Sequence, residues 1–123
     1  MPLAVQRRKI ILCIDDNRQG LAIRKLFLEA LGYEVLLAHR AADGLDLLSH
    51  HVVAAVIVDL HMPDMEGDEL ASAIRRSFPG LPIVMLSGCI ADMPPNCCGV
   101  VDRFVRKGEP ANRLIDTLRE LTS

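Results

Sequence analysis

The stretch AAVIVDLHMPDMEG, residues 54–67, carries the strongest fold signal in the chain. Its first five residues, 54–58, are apolar without a break, and Asp59 follows directly. A short uninterrupted apolar run is typical of a strand buried on both faces of a parallel sheet. Open parallel sheets bind ligands outside the carboxyl ends of their strands. Asp59 is therefore either a structural cap or the centre of a site.

Four further apolar runs alternate with helical patterns. Strands are predicted over residues 9–14, 33–38, 54–58, 82–86 and 100–105. Helices are predicted from Asn17 to just before Gly32, over 41–49 and 68–78, and from Pro110 to about Leu121. This alternation indicates an α/β doubly wound fold with a five-stranded parallel sheet, and we expect the flavodoxin-like strand order 2-1-3-4-5.

Two of the helical segments need separate comment, the first helix and the segment where a fourth helix is expected. In the first helix, Leu21, Leu26, Leu28 and Leu31 are expected mainly on one apolar face. Residues 89–99 stand where a fourth helix belongs, but they contain Pro94-Pro95 and end at Gly99. Because Pro and Gly disfavour helix interiors, we expect an atypical short fourth helix or an irregular loop there.

Length and composition narrow the class of protein. The 123 residues fit one domain, 1–123, and half of them are hydrophobic, which is typical of a globular chain. The formal net charge of -2 gives no reason to expect direct nucleic-acid binding. Neither a membrane-spanning run, a signal peptide nor a disulfide framework is recognisable, so a cytoplasmic location without membrane contact is expected.

Polar side chains stand at four predicted strand ends. Asp15 and Asp16 follow the first strand, Asp59 the third, Ser87 the fourth and Lys107 the fifth. In the order 2-1-3-4-5 the first and third strands are neighbours, so the three carboxylates are expected to face one another. Two carboxylates about 4 Å apart repel by on the order of 1 to 4 kcal/mol. Either one carboxyl stays protonated or a hard cation binds among them.

The residue types at these strand ends suit phosphoryl chemistry. Oxygen ligands with room for water are what Mg²⁺ prefers. A carboxylate beside Mg²⁺, with a Lys and a hydroxyl nearby, can accept a phosphoryl group. Taken singly, Asp16 and Asp64 are more typical of helix or turn caps. Taken together, Asp15, Asp16, Asp59, Ser87 and Lys107 indicate a functional site.

With these residues in place, the chain resembles a response-regulator receiver domain of two-component signalling from Lys9 to about Leu121. The resemblance is carried by Asp15-Asp16, by Asp59 to Gly67 with its Met62-Pro63, by Ser87-Gly88 and by Lys107. It implies a switch that is not a turnover enzyme. Its partners would be a sensor histidine kinase or phosphotransfer protein and a downstream protein or effector domain outside this chain.

The resemblance also implies a role for each site residue. Asp59 would accept the phosphoryl group from a phosphohistidine. Asp16 and Asp59 would bind Mg²⁺ directly, Asp15 mostly through water, and the backbone carbonyl of His61 would be a further ligand. Ser87 would move to bond the phosphoryl oxygen, and Lys107 would pair with it. Phe104 stands where the family has a rotating aromatic switch residue, and an ordinary core position is an equal alternative.

The chain departs from the family pattern at two places. Gly108 follows Lys107, where the family usually has a Pro that is often cis, so a freer loop is expected around Lys107. The Pro94-Pro95 segment occupies the position of a helix that, with the fifth strand and the last helix, normally reports phosphorylation.

Other functions fit the sequence less well. A degenerate receiver that binds a partner without phosphorylation remains the alternative, although all five functional positions are present. A flavodoxin would need a hydroxyl-rich loop where Asp15-Asp16 stands. A haloacid-dehalogenase-like phosphatase would need a second Asp in Asp59-Leu60-His61.

Overall fold

A five-stranded sheet and four helices make up the described part of the chain. The computed structural model describes residues 8–88 and 99–123. The strands are β1 (Ile10–Ile14), β2 (Glu34–Ala38), β3 (Ala55–Asp59), β4 (Ile83–Ser87) and β5 (Arg103–Arg106). The helices are α1 (Arg18–Ala30), α2 (Ala41–His50), α3 (Gly67–Ser77) and α4 (Ala111–Thr122).

The sheet is parallel throughout and has the order β2-β1-β3-β4-β5. The predicted fold class and the predicted strand order are therefore confirmed. Central strand β3 pairs with β1 on one side and β4 on the other, and all five of its residues are buried. Burial on both faces explains why residues 54–58 read as an unbroken apolar run.

Alternate residues of the strands contribute to two apolar cores, one on each face of the sheet. On one face, Leu12, Ile14, Val56 and Val58 pack with residues of α2 and α3. On the other face, Ile11, Cys13, Ala55 and Ile57 pack with residues of α1 and α4. The carboxyl ends of the strands are left at one edge between the helix layers, and that edge is where the polar residues lie.

The leucines of the first helix were expected mainly on one apolar face, and for Leu26 and Leu31 that expectation was wrong. Leu21 and Leu28 are fully buried, but Leu26 is 69% exposed and Leu31 is 38% exposed. Leu21 and Leu28 lie two turns apart and therefore share a face, whereas Leu26 is rotated about 200° from Leu28 at 100° per residue. The buried face of α1 is thus set by positions 21, 24 and 28.

Strand β5 begins three residues later than predicted, at Arg103. The preceding residues are held in a turn by side chains. The Arg75 guanidinium donates to the carbonyl oxygen of Val100, with Nη2 at 2.8 Å. It also donates to Asp102 Oδ2 at 2.7 Å, and the same oxygen accepts the Ile83 amide at 2.7 Å. Side-chain bonds thus hold residues 100 and 102 in place just before β5 begins.

The other element boundaries lie within one or two residues of the predictions. The predicted short fourth helix, with Pro94-Pro95, falls in residues 89–98, outside the described residues. Across residues 8–88 and 99–123, none of the helices has the length and apolar character needed to span a membrane.

Candidate functional site

The parallel sheet brings the predicted site residues to one edge. Asp15 and Asp16 directly follow β1, Asp59 is the last residue of β3, Ser87 is the last of β4 and Lys107 directly follows β5. Because all five strands run in the same direction, their carboxyl ends converge. Residues that are up to 92 positions apart in the sequence therefore share one crevice.

Three carboxylates form the centre of this crevice. Asp15, Asp16 and Asp59 each offer a carboxylate oxygen within 4.8 Å of the others. Asp15 and Asp59 are buried, while Asp16 is exposed and leaves the cluster open to solvent on one side. Oxygen-only donors with an open side fit a hard divalent cation such as Mg²⁺, which keeps part of its water shell.

Lys107 forms ion pairs with two of the carboxylates, those of Asp59 and Asp15. Its Nζ lies 2.7 Å from Asp59 Oδ1 and 3.4 Å from Asp15 Oδ2. Its backbone amide donates to the carbonyl oxygen of Ser87 at 2.7 Å, which fixes the start of the side chain. Burial disfavours the charge on Lys107, but the hydrogen bond to Asp59 and the charge of Asp15 outweigh it and raise the pKa.

The pKa of Asp59 is raised. Burial is the largest cause, and the charges of Asp15 and Asp16 act in the same direction. The hydrogen bond from Lys107 opposes them. Burial, with a smaller contribution from the two neighbouring carboxylates, thus disfavours the charged form of Asp59 even with an ammonium group in contact.

Sequence reasoning missed a second cation, Arg24 of α1. Its Nη2 lies 3.6 Å from Asp15 Oδ2, the oxygen that also faces Lys107, and its side chain is 14% exposed. Asp15 Oδ1 accepts the backbone amide of Asn17 at 3.0 Å. The available signal was periodicity, because position 24 lies on the buried face of α1 between Leu21 and Leu28, where a charged side chain needs a partner.

The three remaining predicted site residues, Ser87, His61 and Phe104, lie outside the carboxylate cluster. Ser87 is buried at the end of β4. The ring of His61 pairs with Glu66, with Nδ1 3.2 Å from Oε2, and does not join the carboxylate cluster. Phe104 is partly buried against the core on the face of α2 and α3, which fits both a switch role and a packing role.

Two glycines shape the loops around the crevice. A Cβ on Gly67 would overlap the carbonyl oxygen of Asp59 and lie 2.7 Å from Leu60 Cα, so the start of α3 can approach β3 only with glycine there. Gly108 has a φ of 89°, which proline cannot adopt. The loop after Lys107 therefore takes a backbone path that proline could not follow, and Lys107 contacts Asp59.

Asp64 links the loop after β3 to another helix. Its carboxylate accepts the backbone amides of Ala41 at 3.1 Å and Ala42 at 3.3 Å, at the start of α2. The residue before α2, Arg40, makes no side-chain cap, so Asp64 supplies the cap from 23 residues away. The Ala41 bond is the main cause of the lowered pKa of Asp64. The expectation of a capping role for Asp64 fits this geometry.

An apolar groove adjoins the charged crevice. It encloses about 320 Å³ and is lined by residues of α1 and of the loop after β5, including Ile23, Phe27, Lys107 and Pro110. Ile23 is 56% exposed and Phe27 is 50% exposed. Large apolar side chains that are exposed together are characteristic of a binding surface.

Comparison with known proteins gives a consistent result. The sequence profile described as "Response regulator receiver domain" matches residues 11–119. The transcriptional regulatory protein GlrR of Escherichia coli is 37% identical over 84 residues, 67% of this chain and 19% of GlrR. The sensory/regulatory protein RpfC of Xanthomonas campestris is 32% identical over 120 residues, 90% of this chain and 16% of RpfC. This chain thus spans less than a fifth of these curated relatives.

A solved structure adds a chemical comparison. The response regulator protein TrrA of Thermotoga maritima, crystallised in complex with Mg(2+)-BeF, superimposes with a TM-score of 0.87 at 26% identity. The match covers 92% of this chain and 98% of TrrA. The shared fold therefore includes a protein whose structure holds Mg²⁺ together with a beryllofluoride group.

Proposed function

This chain belongs to the response regulator receiver domain family of two-component systems, and we propose that Asp59 is its phosphoacceptor, with Mg²⁺ as cofactor. Receiver domains are signalling switches rather than turnover enzymes. The observation that carries the proposal is the Lys107 Nζ, 2.7 Å from Asp59 Oδ1 inside a cluster of three carboxylates. This combination provides a nucleophile, a fixed cation and an oxygen-rich metal site within one crevice.

In the proposed transfer, a carboxylate oxygen of Asp59 attacks the phosphorus of a partner's phosphohistidine. The P–O bond to Asp59 forms, and the P–N bond to the imidazole breaks with its electron pair staying on nitrogen. Lys107 keeps its proton throughout, because contact with Asp59 and Asp15 raises its pKa. Its positive charge then faces the oxygens of the arriving phosphoryl group.

The residues that would hold the metal are Asp15, Asp16 and Asp59, together with the backbone carbonyl of His61. When bound, Mg²⁺ supplies positive charge that offsets the charge on the transferred phosphoryl group. Ser87, buried at the end of β4, would bond a phosphoryl oxygen. Phe104, which is partly buried against the core, would respond by changing its rotamer.

The apolar groove beside the crevice supports a protein donor. Ile23 and Phe27 are half exposed on α1, next to the loop that carries Lys107. A sensor histidine kinase or phosphotransfer protein that covers this surface would bring its phosphohistidine to Asp59. Burying these side chains would also exclude water from the transfer. A downstream protein or effector domain outside this chain would read the result, since the curated relatives are several times longer.

The test is intact mass after incubation with acetyl phosphate, in Mg²⁺ and in EDTA. We expect a Mg²⁺-dependent gain of one phosphoryl group on the wild-type chain and none on Asp59→Asn. Asp116→Asn is the matched control, because Asp116 is an exposed carboxylate of α4, and it should be phosphorylated like the wild type. A wild-type chain that gains no mass in either condition would instead indicate a degenerate receiver.

A further inference from the structure

Arg24 is a largely buried cation that takes no part in the proposed phosphorylation chemistry. Its side chain is 14% exposed, and Nη2 lies 3.6 Å from Asp15 Oδ2. Nη1 is buried and has no hydrogen-bond partner among the described residues. Removing a guanidinium from water is costly, so its position implies strong compensation from nearby negative charge. The nearby negative charge is the carboxylate cluster.

The contacts of Asp15 show what Arg24 does there. Oδ2 faces both Arg24 and Lys107, and Oδ1 accepts the amide of Asn17 at 3.0 Å. Both oxygens of this carboxylate are therefore engaged before any metal binds. The crevice holds three carboxylates and two cations, which leaves a formal charge of -1 with Arg24 and -2 without it.

We propose that Arg24 is a resident counter-cation of the metal site, which stabilises the metal-free protein and weakens its binding of Mg²⁺. The inference rests on the proposed use of Mg²⁺ at this cluster. A divalent ion bound to the cluster would be repelled by a guanidinium that already contacts Asp15. Arg24 thus sets the Mg²⁺ concentration at which the crevice fills, without touching the phosphoryl group.

The test is the Mg²⁺ affinity of the full chain, measured by isothermal titration calorimetry, with the melting temperature in EDTA as the second measurement. Arg24→Gln removes the charge and keeps a polar side chain. It should tighten Mg²⁺ binding about tenfold, equivalent to about 1.4 kcal/mol of relieved repulsion. It should also lower the metal-free melting temperature by roughly 5 °C or more, because Asp15 loses a buried partner.

Three further variants separate charge from packing. Arg24→Lys keeps the charge and should bind Mg²⁺ close to the wild-type affinity. Arg24→Met keeps the length without the charge and should match Arg24→Gln, so a folding failure in one of the two still leaves a test. Arg119→Gln, an exposed position in the last turn of α4, makes the same change in net charge away from the crevice and should leave the affinity unchanged.

The outcomes distinguish this inference from the proposed function. Unchanged or weaker Mg²⁺ binding in either folded variant, Arg24→Gln or Arg24→Met, would overturn the role of Arg24, even if the wild type is phosphorylated at Asp59. Tighter binding in every Arg24→Gln or Arg24→Met variant that folds, with no phosphorylation of the wild type at saturating Mg²⁺, would support the counter-cation and overturn the phosphoacceptor proposal instead.

Discussion

Gly67→Ala is expected to be destabilising, although alanine usually improves a helix. Gly67 is the first residue of α3, and its amide donates to the carbonyl oxygen of Leu60 at 2.6 Å. An added Cβ would overlap the Asp59 carbonyl oxygen and stand 2.7 Å from Leu60 Cα. These neighbours are backbone atoms of the buried strand end, so they cannot rotate away as a flexible side chain would.

The magnitude follows from the cost of overpacking. Forcing extra volume into a packed site costs about 1 to 3 kcal/mol, and helix propensity returns at most about 1 kcal/mol. With a rigid backbone on the opposite side we expect a net loss of about 2 kcal/mol. For 123 residues the unfolding entropy is roughly 0.26 kcal/mol/K, so the melting temperature should fall by roughly 8 °C.

The assay is urea unfolding followed by circular dichroism in EDTA, with thermal melts alongside. Gly80→Ala is the matched control, because a Cβ there meets nothing within 4 Å. It should stay within about 0.5 kcal/mol of the wild type. If Gly67→Ala were as stable as Gly80→Ala, the argument that this close approach requires glycine would be refuted.

Three other perturbations have expected outcomes. Asp16→Asn should raise the metal-free free energy of unfolding by about 0.5 to 1 kcal/mol and weaken Mg²⁺ binding about tenfold, measured by urea unfolding in EDTA and by calorimetry. A less stable metal-free variant would contradict the repulsion on which this rests. Gly108→Ala, at a φ of 89°, should cost about 1 kcal/mol in the same unfolding assay, and no loss would argue against a left-handed backbone there. Because the pKa of Asp64 is lower folded than unfolded, its contribution is present above the unfolded pKa and is lost as pH falls through the folded pKa. The stability difference between wild type and Asp64→Asn should therefore shrink as the pH falls below about 4, and a constant difference would count against the cap.

The sequence was sufficient to predict the positions of most candidate site residues, because the carboxyl ends of all strands in a parallel sheet lie at the same edge. Asp59 and Ser87 end apolar runs, Asp15 and Lys107 follow them, and all of these runs point the same way. Strand direction alone therefore collects these residues at one edge. The rule required only that the elements be recognised, and errors of a few residues at their ends did not affect it.

Contacts between elements were harder to predict. Arg24 contacts Asp15 because the face of α1 that carries Arg24 packs toward the sheet. The sequence pattern did not identify that face, because Leu26 is apolar but lies on the exposed side of the helix. Asp64 caps a helix that lies 23 residues earlier, so only the packed fold reveals its partner. The turn before β5 likewise depends on Arg75, a side chain of α3 that no local pattern connects with Val100.

The Asp64 cap also gives this domain an internal reporter. The amides of Ala41 and Ala42 donate to a carboxylate five residues beyond Asp59, although both belong to a different helix. Their NMR resonances and hydrogen-exchange rates will follow any displacement of the loop after β3. A displacement of the loop after β3 can thus be observed at the start of α2, at two backbone amides of a different helix.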